Sequence, residues 1–252
     1  MTRRSRRSVA NPTVGIVQQA LGPARVWCTD RRGGVSVRPY DTANVGDHVG
    51  DDPAAVAVNR ARIADAAVLV EPTRWVWLEQ VHGVEVHVAT GPTEAQPPEA
   101  DAAVTATRGL PLAVLTADCA PVALACDDAI GVVHAGHRGL EHGVIEAAVA
   151  ALREIGSGPV RAYLGPCIRP EHYEFGAADL ARLVARFGPG VEGRTRAGRA
   201  AFDVPAAVRI ALERCGVEAL DDSGVCTAES ADQFSYRRDG VTGRQVTIAV
   251  LR

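Results

Sequence analysis

No apolar run in this 252-residue chain approaches the roughly 20 residues that a bilayer-spanning helix requires, which argues against a membrane protein. Charge of one sign is lacking as well. The 27 basic and 30 acidic residues leave a formal net charge of −3, too small to draw the chain toward nucleic acid or an anionic membrane. Any anion site must therefore be local. The six cysteines, at 28, 119, 126, 167, 215 and 226, include no CxxC pair, and the first residues carry no apolar segment of the secretory kind. A reducing, cytoplasmic setting is expected. There is no internal repeat, and the Pro-rich stretch 91–98 is short enough to be a surface loop rather than a linker.

What is present is 47% hydrophobic content, enough to bury the core of one large domain. Residues 1–12 carry Arg3, Arg4, Arg6 and Arg7 with little apolar content and read as a disordered tail rather than a nucleic-acid arm. The domain is then expected over 13–252. Leu180, Leu183, Val184 and Phe187 follow helical spacing, as do Leu140, Val144, Ala148 and Leu152. Two more helices are predicted over 53–68 and from Val204-Pro205 to Cys215, the latter stopped by Gly216. Strand-like runs cover 25–28, 75–78, 84–88, 113–115, 122–126, 130–133, 160–164 and 246–251. Several are joined by very short turns, so antiparallel pairing enters and a purely parallel doubly wound sheet is disfavoured. An α/β (α+β) protein with mixed sheets covered by helices is the expected class.

His82, Cys119 and His134 stand at loops or strand ends and form a candidate three-ligand metal set, which would leave one coordination place for chemistry. Two of them can be related by register. If Asp127-Asp128 is a two-residue turn, Cys126 faces Ala129 and Pro121 faces His134. Cys119 then shares a face with His134, offset diagonally by about 7 to 8 Å between Cβ atoms, which a metal can bridge. A three-residue turn would throw His134 to the other face. On spacing alone, a structural role for each of the three stays open. Cys126, Cys167 and Cys215 read as small core residues, His142 as solvated and His87 as an outward strand residue. The turn Gly33-Gly34, with Arg31 or Arg32 and Ser36, could present N–H groups to an anion or be an ordinary turn. Tyr236-Arg237-Arg238-Asp239-Gly240 reads as a charged hairpin turn, and Leu164-Gly165-Pro166-Cys167 as a strand end and tight turn near a pocket rim.

The phrases 32–36 (Arg-Gly-Gly-Val-Ser), Val81-His82-Gly83, Leu115-Thr116-Ala117-Asp118-Cys119, His134-Ala135-Gly136-His137-Arg138-Gly139, Leu164-Gly165-Pro166-Cys167-Ile168 and Phe234-Ser235-Tyr236-Arg237-Arg238-Asp239 occur here in one order. That order resembles the YfiH-type family, also called multicopper polyphenol oxidoreductase, laccase-domain protein and peptidoglycan editing factor. The similarity runs from about Thr29 to the C-terminus, with His137 where the family usually has Trp.

The resemblance implies a four-layer α/β/β/α fold and His82, Cys119 and His134 as ligands of Zn2+, with Cu2+ also acceptable to such donors. It further implies phosphorolysis of adenosine, inosine and methylthioadenosine, with deamination of adenosine, so purine nucleoside and phosphate are the expected partners of a monomer. Asp118 is expected beside the ligands as a catalytic helper. Ser36, Asn44, Arg60, Gln80 and Arg138 are the expected substrate contacts. Competing readings are a Cys119–His134 hydrolase or amidase acting on a peptidoglycan precursor, a copper polyphenol oxidase, and a metal-stabilised binding module without turnover. Seven histidines spread this way give little support to a multicopper cluster.

Overall fold

The computed structural model describes residues 13–217 and 219–252; the Arg-rich tail expected over 1–12 lies outside the described residues. Strands β1 (Ile16–Leu21) and β2 (Ala24–Thr29) form a hairpin around Gly22, whose φ of 57° is the left-handed backbone that glycine tolerates. Helix α1 (Pro53–Ala67) starts where the Asp52 side chain accepts the Ala54 N–H and Pro53 supplies a preset φ. Strands β3 (Val86–Val88), β4 (Ala102–Thr105), β5 (Leu112–Thr116), β6 (Ala120–Ala125) and β7 (Ile130–Ala135) follow. Then come helices α2 (His137–His142) and α3 (Val144–Ile155), strand β8 (Arg161–Leu164) and helix α4 (Ala177–Phe187). The short strands β9 (Glu192–Arg194) and β10 (Ala200–Phe202) pair with each other and lead into α5 (Val204–Arg214). Strand β11 (Leu220–Asp222), the single turn α6 (Tyr236–Asp239) and strand β12 (Gln245–Leu251) complete the order.

Two sheets stack face to face. One is antiparallel, in the order β1-β2-β12-β5. The other is mixed, in the order β11-β8-β6-β7-β4-β3, with parallel pairs at both edges and antiparallel pairs between. Between them lies a core of small and branched side chains, including Val26, Val114, Ile130 and Val132. Helix α1 covers the outer face of the antiparallel sheet through Ile63 and Ala64. Helices α2 to α5 cover the outer face of the mixed sheet with Leu140, Ile145, Leu152, Leu183 and Leu212. This is the four-layer α/β/β/α arrangement expected. No described helix is long and apolar enough to cross a membrane.

The predicted hairpin register holds: Pro121 pairs with His134, and Cys126 N–H donates to the Ala129 carbonyl. Other expectations shift. The helix expected over 140–152 is two helices, because Gly143 at φ 98° ends one and starts the next. The run 75–78 does not join a ladder beyond one bridge from Val76 to Leu112, since the Trp77 N–H and carbonyl are both taken by the Thr93 hydroxyl and the Trp75 carbonyl accepts the Thr93 N–H. The turn expected at 236–240 is the one-turn helix α6, because the Ser235 hydroxyl accepts the Arg238 N–H. Arg238 itself donates to the carbonyls of Thr227, Ser230 and Gln233, binding that loop together.

The Gly33-Gly34 loop is packed rather than open. Gly34 and Val35 N–H groups are consumed by Thr42 Oγ1 and Asn59 Oδ1, which leaves neither for an anion. A Cβ on Gly34 would sit 2.1 Å from the Thr42 carbonyl oxygen. Gly34→Ala should therefore destabilise the fold by about 1–3 kcal/mol, the usual range for overpacking. Thermal unfolding checks this; a midpoint unchanged within a degree would show that the loop is free to move.

Candidate metal centre

Asp101, a residue that sequence reasoning passed over, organises this site. Strands β4 and β7 pair so that Ala102 faces Val133, which sets Asp101 opposite His134 just beyond the ladder. The His134 N–H donates to the Asp101 carbonyl at 2.7 Å, and His134 Nδ1 lies 2.7 Å from Asp101 Oδ1. The Asp101 carboxylate also accepts the backbone N–H groups of Val81, His82 and Gly83 at 3.1, 3.0 and 2.7 Å. One wholly buried carboxylate thus orients one imidazole and pins the loop that carries another. A polar residue closing a Pro-rich loop before a small-residue strand was the available signal.

The three predicted ligands converge. One donor atom each from His82, Cys119 and His134 lies within 4.8 Å of the others. Cys119 Sγ is 3.8 Å from His82 Nε2, and the His82 and His134 rings meet edge to face at 4.8 Å. Backbone strain is concentrated here: of the three described non-glycine residues with positive φ, two are His82 at 62° and Asp118 at 106°. A Cβ on Gly136 would come 2.6 Å from the His82 ring and 3.2 Å from Cys119 Sγ, so glycine there permits the close approach.

Burial opposes ionisation of Cys119, but the neighbouring His134 charge and hydrogen bond, with help from His82, bring its thiol down to about 6. Burial likewise works against the His134 cation, yet Cys119 and Asp101 raise its pKa to about 9. Burial also disfavours the Asp101 carboxylate, and the His134 hydrogen bond outweighs it, so that its pKa falls below the ordinary value. The sulfur is therefore biased to thiolate, the form that binds metals. Two imidazoles and a thiolate, with Asp101 holding Nδ1 so that Nε2 is the free ligand atom, suit a zinc-type ion with an open fourth place.

These donors sit in a cavity of about 710 Å³. Its wall also includes Gln80, His137, Tyr173, Tyr236, Arg237 and Arg244. His137, at the family's usual Trp position, stays outside the donor cluster: its Nδ1 is 3.4 Å from the Tyr173 hydroxyl and its ring packs on Phe175. Arg237 lies over the Tyr173 ring at 4.8 Å. Burial presses the Arg244 guanidinium below its ordinary pKa, and it donates hydrogen bonds to the carbonyls of Thr242 and Gly243. Among the described residues no carboxylate forms an ion pair with it.

The expected substrate contacts divide. Gln80 lines the cavity, but its amide is matched to the Leu115 backbone, donating to the carbonyl and accepting the N–H at 2.8 Å each. Ser36, Asn44 and Arg60 do not reach the cavity wall. Ser36 and Asn44 both donate to Asp51, and Asn59 bridges them. Arg60 donates to the Val45 carbonyl, pairs with Asp47 and stacks on Trp77. Arg138 is exposed and also off the wall. Asp118 lines the cavity, yet its carboxylate turns away from the donors to accept Thr227 Oγ1 and the Arg237 N–H, both at 2.6 Å. The tight turn 164–167 is at a different cavity, which Pro166 lines. His142 is exposed as expected, and Cys126 and Cys167 are buried, while Cys215 is half-buried.

A profile of the family described as multi-copper polyphenol oxidoreductase laccase matches residues 25–252. The chain belongs to this family. A Streptomyces coelicolor protein named purine nucleoside phosphorylase is 50% identical to this laccase-family chain over 233 residues, covering 90% of this chain and 95% of the relative. A Mycobacterium tuberculosis protein of the same name is 42% identical over 245 residues, covering 95% and 96%. The crystal structure of YlmD from Geobacillus stearothermophilus superposes with a TM-score of 0.87 at 29% identity, covering 100% of this chain and 98% of the other. That of the Bacillus licheniformis protein YfiH gives 0.83 at 26%, covering 91% and 93%. The fold of this laccase-family chain is thus shared with YfiH-type proteins.

Proposed function

We propose that this laccase-family chain is a purine nucleoside phosphorylase in which His82, Cys119 and His134 hold one zinc ion. Its substrates are adenosine, inosine and methylthioadenosine with phosphate, and adenosine is also deaminated at the same site. The observation that carries this reading is the convergence of a thiolate and two imidazoles in one cavity whose wall offers two arginines. A volume near 710 Å³ falls within the range of small-molecule sites.

When bound, zinc supplies a Lewis acid that favours negative charge on the purine ring and acidifies water. The chain's own groups do the rest. Arg237 and Arg244 hold the phosphate by charge-assisted hydrogen bonds and aim it at the ribose anomeric carbon. Tyr236, whose ring is exposed in the cavity wall, offers a face against which a flat base can lie, while Tyr173 lies beneath Arg237. As a phosphate oxygen bonds to the anomeric carbon, the glycosidic C–N bond breaks and its electron pair moves onto the base. In deamination, water oxygen adds at the purine carbon bearing the amino group, and ammonia leaves. Asp101 keeps His134 in the tautomer that presents Nε2. Ser36, Asn44 and Arg60 act by shaping the 44–48 loop, which brings His48 to the wall. We further infer that residues 13–252 work as one unit, as a monomer in the cytoplasm.

Zinc is preferred to copper because a single three-donor cluster lies in this cavity, whereas a multicopper oxidase needs several ions. A second reading has one observation in its favour: Cys119, His134 and Asp101 also form the line of a cysteine hydrolase. Product analysis separates the two. Purified protein incubated with inosine and phosphate should release hypoxanthine and ribose 1-phosphate, and neither should form without phosphate. No hypoxanthine, together with cleavage of a muropeptide precursor, would overturn the phosphorylase in favour of the hydrolase.

A further inference from the structure

A second set of soft and hard donors lies outside the cavity. His172 ends the short 3-10 turn Pro170–His172, and Cys226 and Glu229 lie on the loop after β11. One ligand atom from each lies within 4.8 Å of the others. We propose that His172, Cys226 and Glu229 form a second site for a zinc-class divalent cation, which braces the 226–238 loop.

Three features support an ion over a plain histidine–glutamate pair. First, His172 Nε2 is buried and has no hydrogen-bond partner, although its neighbours are polar. A buried ring nitrogen left without a partner calls for an explanation. Its separation of 3.7 Å from Glu229 Oε2 is too long for a hydrogen bond. It is close to the roughly 3.3–3.7 Å between donors on an ion with bonds of about 2.0–2.3 Å.

Second, the carboxylate is held for the purpose. Arg196 donates to Glu229 Oε1, leaving Oε2 turned toward His172. Such outer partners orient metal-ligating carboxylates. Third, the chain turns between Cys226 and Glu229, with the Ser230 N–H donating to the Cys226 carbonyl. That places residues three apart on the same side of the turn. Cys226 is otherwise a buried free thiol, while exposed Glu229 and partly exposed His172 give an ion a route in. On binding, the Cys226 thiol releases its proton to solvent and the sulfur becomes the ligand.

The position gives the site its consequence. Thr227, next to Cys226, donates to Asp118, and Asp118 in turn holds the Arg237 backbone. Tyr173, next to His172, lies in the cavity wall under Arg237. An ion joining His172 to Cys226 thus fastens together two segments that shape the cavity, without touching its contents.

Chelator-stripped full-length protein titrated with Co2+ tests this. The unmodified chain should take two equivalents, with thiolate-to-cobalt absorption for each. Cys226→Ser and His172→Asn should each take one equivalent and lose the matching share of that absorption. Glu229→Gln alters an exposed side chain, so the fold should survive in it even if Cys226→Ser does not fold; its second equivalent should bind at least tenfold more weakly. A single equivalent in the unmodified chain, or two equivalents of unchanged affinity in Glu229→Gln, would overturn the proposal. The phosphorylase reading fails separately, through the absence of hypoxanthine from inosine and phosphate, and a Cys119→Ser variant that keeps both equivalents would overturn only the cavity's ligand set.

Discussion

Cys119→Ser should abolish tight metal binding in the cavity and lower phosphorolysis of inosine by at least about 10²-fold, the scale on which loss of one electrostatic stabiliser acts. The exchange conserves shape but removes the ionised sulfur: a thiol brought to about 6 by its imidazole neighbours gives way to a hydroxyl that stays protonated. His134→Ala should do the same by deleting an imidazole that Asp101 has already oriented. Asp101→Asn provides the graded comparison. It keeps all three donors but can no longer match both the imidazole N–H and three backbone N–H groups as a carboxylate does. Metal affinity should fall about 10- to 100-fold, with activity recovering at high zinc. Elemental analysis alongside initial rates reads both effects. Full metal content and full rate in His134→Ala would remove the centre from the chemistry, whereas retained metal with lost rate would make His134 catalytic without being an essential ligand.

Arg244→Met should raise the KM for phosphate by about 10- to 100-fold while leaving the KM for nucleoside nearly unchanged. The size follows from a charge-assisted hydrogen bond of about 1.5–3 kcal/mol, converted at 1.4 kcal/mol per factor of ten. The guanidinium is half-buried in the cavity wall and has no carboxylate ion-pair partner among the described residues, so on the proposed reading a bound phosphate would supply the countercharge. Arg244→Lys should recover part of the affinity, since charge is restored without the planar fork. Because Arg244 also donates to the Thr242 and Gly243 carbonyls, thermal unfolding of each variant is measured beside the kinetics. An unchanged phosphate KM in a folded Arg244→Met variant would move the anion site elsewhere in the wall.

The approach of Cys119 to His134 was legible in advance because both lie on or beside one hairpin, where a two-residue turn and side-chain alternation relate their positions. Helical periodicity likewise located α4, and the Val204-Pro205 start and Gly216 stop bounded α5. The expected substrate contacts were less legible. Ser36, Asn44 and Arg60 are polar residues near a glycine turn, a pattern shared by a binding loop and by a loop that binds only itself. Asn59, 15 residues beyond Asn44 and next to Arg60, ties the loop to itself by accepting from Val35 and donating to Ser36 and Asn44.

Read alone, the chain determined its family and its mixed α/β class and singled out His82, Cys119 and His134 as one candidate set, because these depend on residue type, local periodicity and the order of short phrases. Only the tertiary structure decided which carboxylate serves them. Asp118 is adjacent to Cys119 in the chain but is spent on Thr227 and Arg237, whereas Asp101 reaches His134 because β4 pairs with β7. That pairing joins strands separated by two others in sequence, and the physical reason it escapes a linear reading is that strand register is set by packing across the sheet rather than by neighbours along the backbone.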